Sequence, residues 1–196
     1  MGLIKTVTEK PWERKGVIGG MAPEGTFATE SERVALTFFL VIATVVFSLF
    51  MVSYYLRMEL PDWEPLSEPA QLWFNTGLLI ASSALFQWSR NIVGRGHTRN
   101  LYTSFLGAGV LAILFIVAQM VTWNHLQAGG FYLSSNPAIA FYYLLTGLHA
   151  LHLIGGLWVW SKCAIRLTSG VEPGEVRLSI QLCTIYWHFL LLVWIV

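Results

Sequence analysis

The chain has 196 residues, of which 55% are hydrophobic and only 12% charged, and its formal net charge is +1. Soluble domains carry about 25% charged residues, so this composition excludes an ordinary soluble domain, and the near-zero net charge excludes a nucleic-acid binder that works by basic charge. The class that fits is an all-α integral membrane protein.

Residues 1–33 form a polar amino-terminal segment with Lys5, Lys10, Arg14, Lys15 and Arg33, several glycines, and a capping-box pattern from Thr29 to Glu32. It does not read as a cleavable signal peptide. Five uncharged apolar stretches follow, at residues 34–56, 70–89, 101–124, 138–161 and 178–196. Each has the roughly 20 residues that, at about 1.5 Å rise apiece, cross a hydrocarbon core of about 30 Å. The connections are too short for a further folded unit, so residues 34–196 are expected to make a single five-helix transmembrane domain.

The first connection carries Glu59, Asp62, Glu64 and Glu68. It reads as a solvated loop, with a docking patch for a basic soluble partner such as a small cytochrome as the functional counterpart. Helix starts are signalled by Pro69, by Asn136-Pro137 as cap and first residue, and by Pro173. Trp63 and Trp73 fall at one expected membrane interface, and Trp88, Trp158 and Trp160 at the other. Cys163 and Cys183 lie far apart without metal-ligand spacing and read as small apolar fillers.

Of twelve Lys and Arg, only Arg57 falls on the side opposite the amino-terminal segment. The positive-inside rule therefore places the amino terminus in the cytoplasm and, after five spans, the carboxy terminus in the periplasm.

No Asp, Glu, Lys or Arg occurs within the five stretches, which argues against a pump, channel or charged-substrate transporter acting alone. The polar residues at depth are Asn75, Thr76, Ser82 and Ser83; Gln119, Thr122 and Asn124; Thr146, His149 and His152; and Tyr186 and His188. Helical spacing puts Asn75 with Ser82, Gln119 with Thr122, and His149 with His152 on shared faces. His149, His152 and His188 are candidate haem or metal ligands, but His-x-x-His is a weak signal without a fourth ligand or a carboxylate to orient the rings. The structural reading is that neutral imidazoles bridge helices by hydrogen bonds, with Gly147, Gly155 and Gly156 allowing close approach of a helix or a lipid chain. No nucleophile motif, phosphate loop or dinucleotide fingerprint is present, so no catalysis by the chain alone is expected.

Thr146-Gly147-Leu148-His149-Ala150-Leu151-His152 followed by Gly156, and Tyr186-Trp187-His188-Phe189 with Val193-Trp194, are two ordered motifs. They resemble the T-G-x-H-G-x-H-x-x-x-G and Y-W-H-F-V-D-x-V-W segments of subunit III of the haem–copper terminal oxidases, in their short five-helix bacterial form. Asn75-Thr76 with Ser82-Ser83, and Gln119, are similar to further family positions. Ala150 replaces a family glycine, Leu191 its aspartate, Thr122 a glutamate, and Ala43-Thr44 the place of an intramembrane glutamate in the long forms.

The resemblance implies an accessory, non-redox subunit of a respiratory oxidase in a bacterial plasma membrane. It would stabilise the catalytic subunit I, contact other oxidase subunits, hold phospholipid and make at most an indirect contact with cytochrome c. No cofactor is expected in this chain; haem and copper are expected in the partner. Asn75, Ser82, Gln119, Thr146, His149, His152, Gly156, Trp187 and His188 are then interface or lipid-binding residues, with no catalytic or metal-binding role. An accessory protein of a nitric oxide reductase and a small membrane haem-binding protein are the alternatives.

Overall fold

The computed structural model describes residues 31–64, 70–93, 98–171 and 173–196. They form five α-helices: α1 (Ser31–Met58), α2 (Gln71–Ile92), α3 (Thr98–Ala128), α4 (Pro137–Thr168) and α5 (Pro173–Ile195), with no strand among the described residues. The chain divides into compact units at Ala35/Leu36. Of the first unit only residues 31–35, the opening turn of α1, are described, so Thr29 and most of the amino-terminal segment lie outside the described residues, as do Glu68, Pro69 and Arg95.

Every helix but α5 runs past the apolar stretch that announced it at its carboxy end. Hydropathy stops at the first charge, whereas backbone hydrogen bonding continues into the interface, taking in Arg57, Arg90, and Lys162 to Arg166. The stops are stereochemical. Gly130 (φ 84°) and Gly170 (φ 85°) adopt the left-handed conformation that ends α3 and α4. Phe131 N–H donates to Leu126 O and Val171 N–H to Arg166 O, returning orphan carbonyls to partners. At the start of α4, Asn136 accepts from Ala138 N–H at 2.9 Å and Pro137 takes the first turn, as its sequence indicated.

Four helices are long and apolar enough by themselves to cross a membrane: α1, α3 from Arg99, α4, and α5 from Glu175. The fifth helix, α2, has 22 residues, a reach of about 33 Å, and carries more polar side chain than the other four. Asn75, Ser82, Ser83 and Ser89 of α2 are all buried against neighbouring helices, so its polarity is directed into protein.

In the unit 36–196, α2 packs on α3 and α5, and α4 packs on the same two, closing a four-helix ring. Its core holds Leu79, Phe86, Phe105, Phe115, Leu153, Ile180, Trp187 and Leu190, and both cysteines lie buried and free in the same cluster. The Phe86 ring stands edge-on to Phe105 at 5.6 Å and tilted against Trp187 at 4.5 Å. Lipid is as apolar as leucine, so tight packing and interhelical hydrogen bonds, rather than escape from water, hold such a ring together. From Leu36 onward α1 buries only Ala43 and meets the ring through aromatic side chains: Phe39 and Phe47 flank His152 at 5.9 and 5.4 Å, and Tyr54 stands edge-on to Phe141 at 5.8 Å.

Trp160 is half-buried. Its ring lies directly over Gly109, and its Nε1–H donates to Phe105 O at 3.0 Å, locking α4 to α3. Trp88 and Trp158 are exposed, with Lys162 5.0 Å above the Trp158 ring.

Candidate functional site

The polar residues at depth separate into an interior network, an aromatic layer and a surface ladder. The network starts at Asn75, fully buried, whose Nδ2–H₂ donates to Gln119 Oε1 at 2.9 Å and to Thr122 Oγ1 at 3.4 Å. Gln119 Nε2 in turn donates to the Tyr142 hydroxyl at 3.0 Å, so α2, α3 and α4 are tied at one level. Beside it, Trp123 donates to Thr146 Oγ1 at 3.2 Å and Trp194 to Thr76 Oγ1 at 2.9 Å. Ser82 donates to Ala108 O at 2.7 Å, which requires the small residue Ala108 for the two backbones to come so near.

The aromatic layer contains His149. Its ring, 2% exposed, sits 6.0 Å from Phe115 and 5.2 Å from Trp194, and neither ring nitrogen has a hydrogen-bond partner among the described residues. His152, three residues on, turns elsewhere. Its Nδ1 bonds to Leu148 O of its own helix at 2.8 Å, and its ring meets α1. Three helical steps leave two side chains about 60° apart, enough to send one inward and the other to a neighbouring helix. The expectation that the histidines bridge helices by hydrogen bonds is therefore corrected for His149 and His152. Gly156 supplies the close approach: a Cβ there would lie 2.7 Å from Tyr186 Cε1 and 2.8 Å from Trp187 Cζ3. The same tyrosine donates to His152 O at 2.8 Å.

His188 is the bridging histidine. Its Nδ1 lies 2.5 Å from Ser83 Oγ and its Nε2 3.0 Å from Gln87 Oε1, and Gln87 Nε2 donates to Asn91 Oδ1 at 3.1 Å. Gln87 Oε1 only accepts, so His188 carries its proton on Nε2 and receives the serine hydroxyl on Nδ1. The three histidines thus occupy three different surroundings and do not converge, and no group of three or more His, Cys, Asp or Glu with metal-binding geometry occurs among the described residues. All of these bonds join neutral groups. Such a set can hold helices in register.

In the first connection, Arg57 Nη1 donates to Asp62 Oδ1 at 2.7 Å, and the guanidinium holds the Asp62 carboxyl below the usual carboxylate range. Asn136 Nδ2 donates to Glu64 O at 2.8 Å, tying this loop to the start of α4.

Tyr142, Phe115, Trp123 and Gln87 complete these contacts and were not singled out from sequence. Tyr142 lies two turns before His149, and Gln87 one turn after Ser83, so helical spacing from the residues already chosen was the signal that pointed to them.

The sequence profile described as "Cytochrome c oxidase subunit III" matches residues 21–196. The chain is 29% identical over 167 residues to cytochrome c oxidase subunit 3 of Synechocystis sp., covering 81% of this chain and 69% of that one. It is 30% identical over 140 residues to a probable cytochrome c oxidase subunit 3 of Nocardia farcinica, covering 68% of each. A third relative, a heme-copper oxidase subunit I+III of Aeropyrum pernix, is 31% identical over 121 residues, 61% of this chain and 15% of that longer one. A ring of helices held by neutral interior bonds, carrying both histidine motifs and matched along nearly its whole length, belongs to the cytochrome c oxidase subunit III family, the accessory subunit III of haem–copper oxidases.

Proposed function

We propose that this chain is a non-redox scaffold that packs against the catalytic subunit I of a terminal oxidase in a bacterial plasma membrane, with haem and copper held by that partner. The observation that carries this reading is the use of interior polarity. Asn75, Gln119, Thr122, Tyr142, Thr146 and Trp194 bond to one another's helices, leaving outer faces that are largely aliphatic and aromatic. The Aeropyrum pernix relative, whose name joins subunits I and III in one chain, supports subunit I as the direct neighbour.

Residues 34–196 act as one transmembrane unit, with the amino terminus in the cytoplasm and the carboxy terminus outside. Ser82, Gly156, Trp187 and the three histidines are structural, and phospholipid covers the exposed apolar faces. Any contact with cytochrome c is indirect.

The family's intramembrane carboxylates are replaced here. Thr122 is buried and donates to Ala118 O at 3.0 Å, and Leu191 is half-buried against the core. A proton path through these positions has no titratable group. This favours support of the partner over proton delivery, and it keeps a nitric oxide reductase accessory protein as the second reading.

The test is a mild-detergent pull-down through an amino-terminal tag, with reduced-minus-oxidised spectra before and after stripping the partners. Haem bands that arrive with large subunits and leave on stripping support the scaffold reading, and mass spectrometry of those subunits separates oxygen from nitric oxide reduction. Haem that stays with the isolated chain refutes it.

A further inference from the structure

The outer surface where α2 meets α5 is amphipathic along its length. Exposed Trp73 and Trp88 stand fifteen residues, about 22 Å, apart on α2 and mark its two interfaces, with Gly77, Ile80, Ala81 and Ala84 exposed between them. Beyond Trp88, in the last turn of α2, come Arg90 and Asn91, both exposed and both at headgroup level. The contacts Phe86 with Thr184 and Ser83 with His188 run α2 and α5 in opposite directions, so the end of α2 and the start of α5 share one end of the groove between them. Helical spacing puts Arg90 about 20° around α2 from Ser83, and exposed Arg177 about 20° around α5 from His188. Each helix therefore brings a cation to the same mouth. Glu175, in the first turn of α5, lies about 140° around that helix from His188, away from the groove.

The hydrogen bonds along the groove lead to that mouth. Ser83 donates to His188, His188 to Gln87, and Gln87 Nε2 to Asn91 Oδ1, so both ring nitrogens of His188 are used. The N–H groups left over are the second one on Gln87, both on Asn91 and the guanidinium of Arg90, and none of them has an acceptor among the described residues. A terminus made of donors and two arginines suits an oxygen-rich anion, which guanidinium groups grip with paired hydrogen bonds. The same pair of arginines repels a headgroup that carries an ammonium.

We infer that the Arg90–Arg177 mouth of the α2–α5 groove binds the phosphate of an anionic phospholipid lacking an ammonium group, of the phosphatidylglycerol class. Its glycerol esters then lie against Asn91, Gln87 and Trp88, and its chains along Ala84, Ala81 and Ile80. The assignment rests on the reading above that phospholipid covers the exposed apolar faces, and adds to it a place and a headgroup. The dimensions fit one leaflet: Arg90 to Ile80 is ten residues, about 15 Å, half of a hydrocarbon core of about 30 Å. The side fits too. In the topology proposed above this end of α2 is cytoplasmic, and the cytoplasmic leaflet is the anionic one.

The experiment uses the tagged full chain, with the subunits it recovers, in phosphatidylcholine vesicles. The vesicles carry a minor fraction of diazirine-bearing phosphatidylglycerol or, in parallel, of phosphatidylcholine with the same label on the same chain. After illumination, adducts are mapped by peptide mass spectrometry. The α2 segment 80–88 is expected to be labelled several-fold more by the phosphatidylglycerol probe, whereas the exposed aliphatic α3 face at Val110, Ile113 and Val117 takes both probes equally. This comparison needs no variant, so it stands even if one fails to fold. Arg90→Gln with Arg177→Gln is expected to lower the α2 preference by at least about fivefold, the effect of one interfacial cation on an anionic lipid. Lys162→Gln, a cation at the same end of α4, should leave it unchanged. Equal labelling of α2 by the two probes, or a preference that survives the double variant or is lost in Lys162→Gln, overturns the assignment. An α2 face that stays unlabelled while α3 is labelled means that protein covers it, which overturns the assignment alone. Labelling of no helix by either probe sinks the reading of lipid-covered faces, and the assignment with it.

Discussion

His149 is a histidine used for its shape. It fills a slot between Phe115 and Trp194, and both ring nitrogens lack a partner among the described residues, so its polarity contributes nothing that the structure shows. A ring of similar size should serve: His149→Phe is expected to change stability by less than about 1.5 kcal/mol, whereas His149→Ala should cost about 2–4 kcal/mol through the cavity it leaves. Thermal aggregation of the detergent-solubilised complex reads both, and haem absorbance should stay unshifted in either variant. A shifted haem band with intact assembly would make the histidine a ligand and sink this account. Gly156 is constrained in the opposite sense. Trp187 is fully buried and cannot yield, so Gly156→Val should lower stability by about 1–3 kcal/mol through overpacking, seen as a reduced melting temperature or yield.

At the scale of elements, α2 is the helix that polarity holds in place. It meets α3 through Asn75 to Gln119 and Thr122 and through Ser82 to Ala108, and α5 through Ser83 and Thr76. Asn75→Leu strands the Gln119 carbonyl oxygen; Gln119→Leu leaves the Asn75 amide only its longer contact with Thr122. The double variant should therefore be less damaging than the sum of the two singles, with a coupling of about 0.6–2 kcal/mol in a double-mutant cycle on reversible unfolding in mixed micelles. Strict additivity would mean that the two side chains do not interact. The loop after α1 carries a pH-dependent contact. Asp62 is held below the usual carboxylate range by Arg57, so the pair is intact above that range and is lost as pH falls through the lowered value. A carboxyl-carbon titration of Asp62 should show the low midpoint, and Arg57→Gln should return it to the ordinary range. Both groups are exposed, so the consequence is local order of the loop.

For the whole molecule, the basic residues argue for a cytoplasmic amino terminus. Fusing a fluorescent protein there should give signal, and alkaline phosphatase at the carboxy terminus should be active; the reverse pair of results would invert the topology.

Sequence alone determined the class of molecule, the existence and order of five helices, the cap at Asn136, the buried cysteines, and the shared faces of Asn75 with Ser82 and of Gln119 with Thr122. These follow from local rules: an uncharged run long enough to span, a proline at a first turn, residues at helical spacing. The histidine motifs also marked the family, because their order and spacing survive along the chain. What tertiary structure decided is what each polar group meets. His149, His152 and His188 look alike as letters, yet one fills an aromatic slot, one faces α1 and one lies exposed on the ring's outer surface. Trp160 packs its ring over Gly109 and bonds to Phe105 O, a contact that its position in the sequence did not indicate. Helix periodicity fixes the direction of a side chain to within a face, but the rotation and contact distance of the neighbouring helix decide whether that face meets a carbonyl, a ring or lipid, and those are set by packing between segments far apart in the chain.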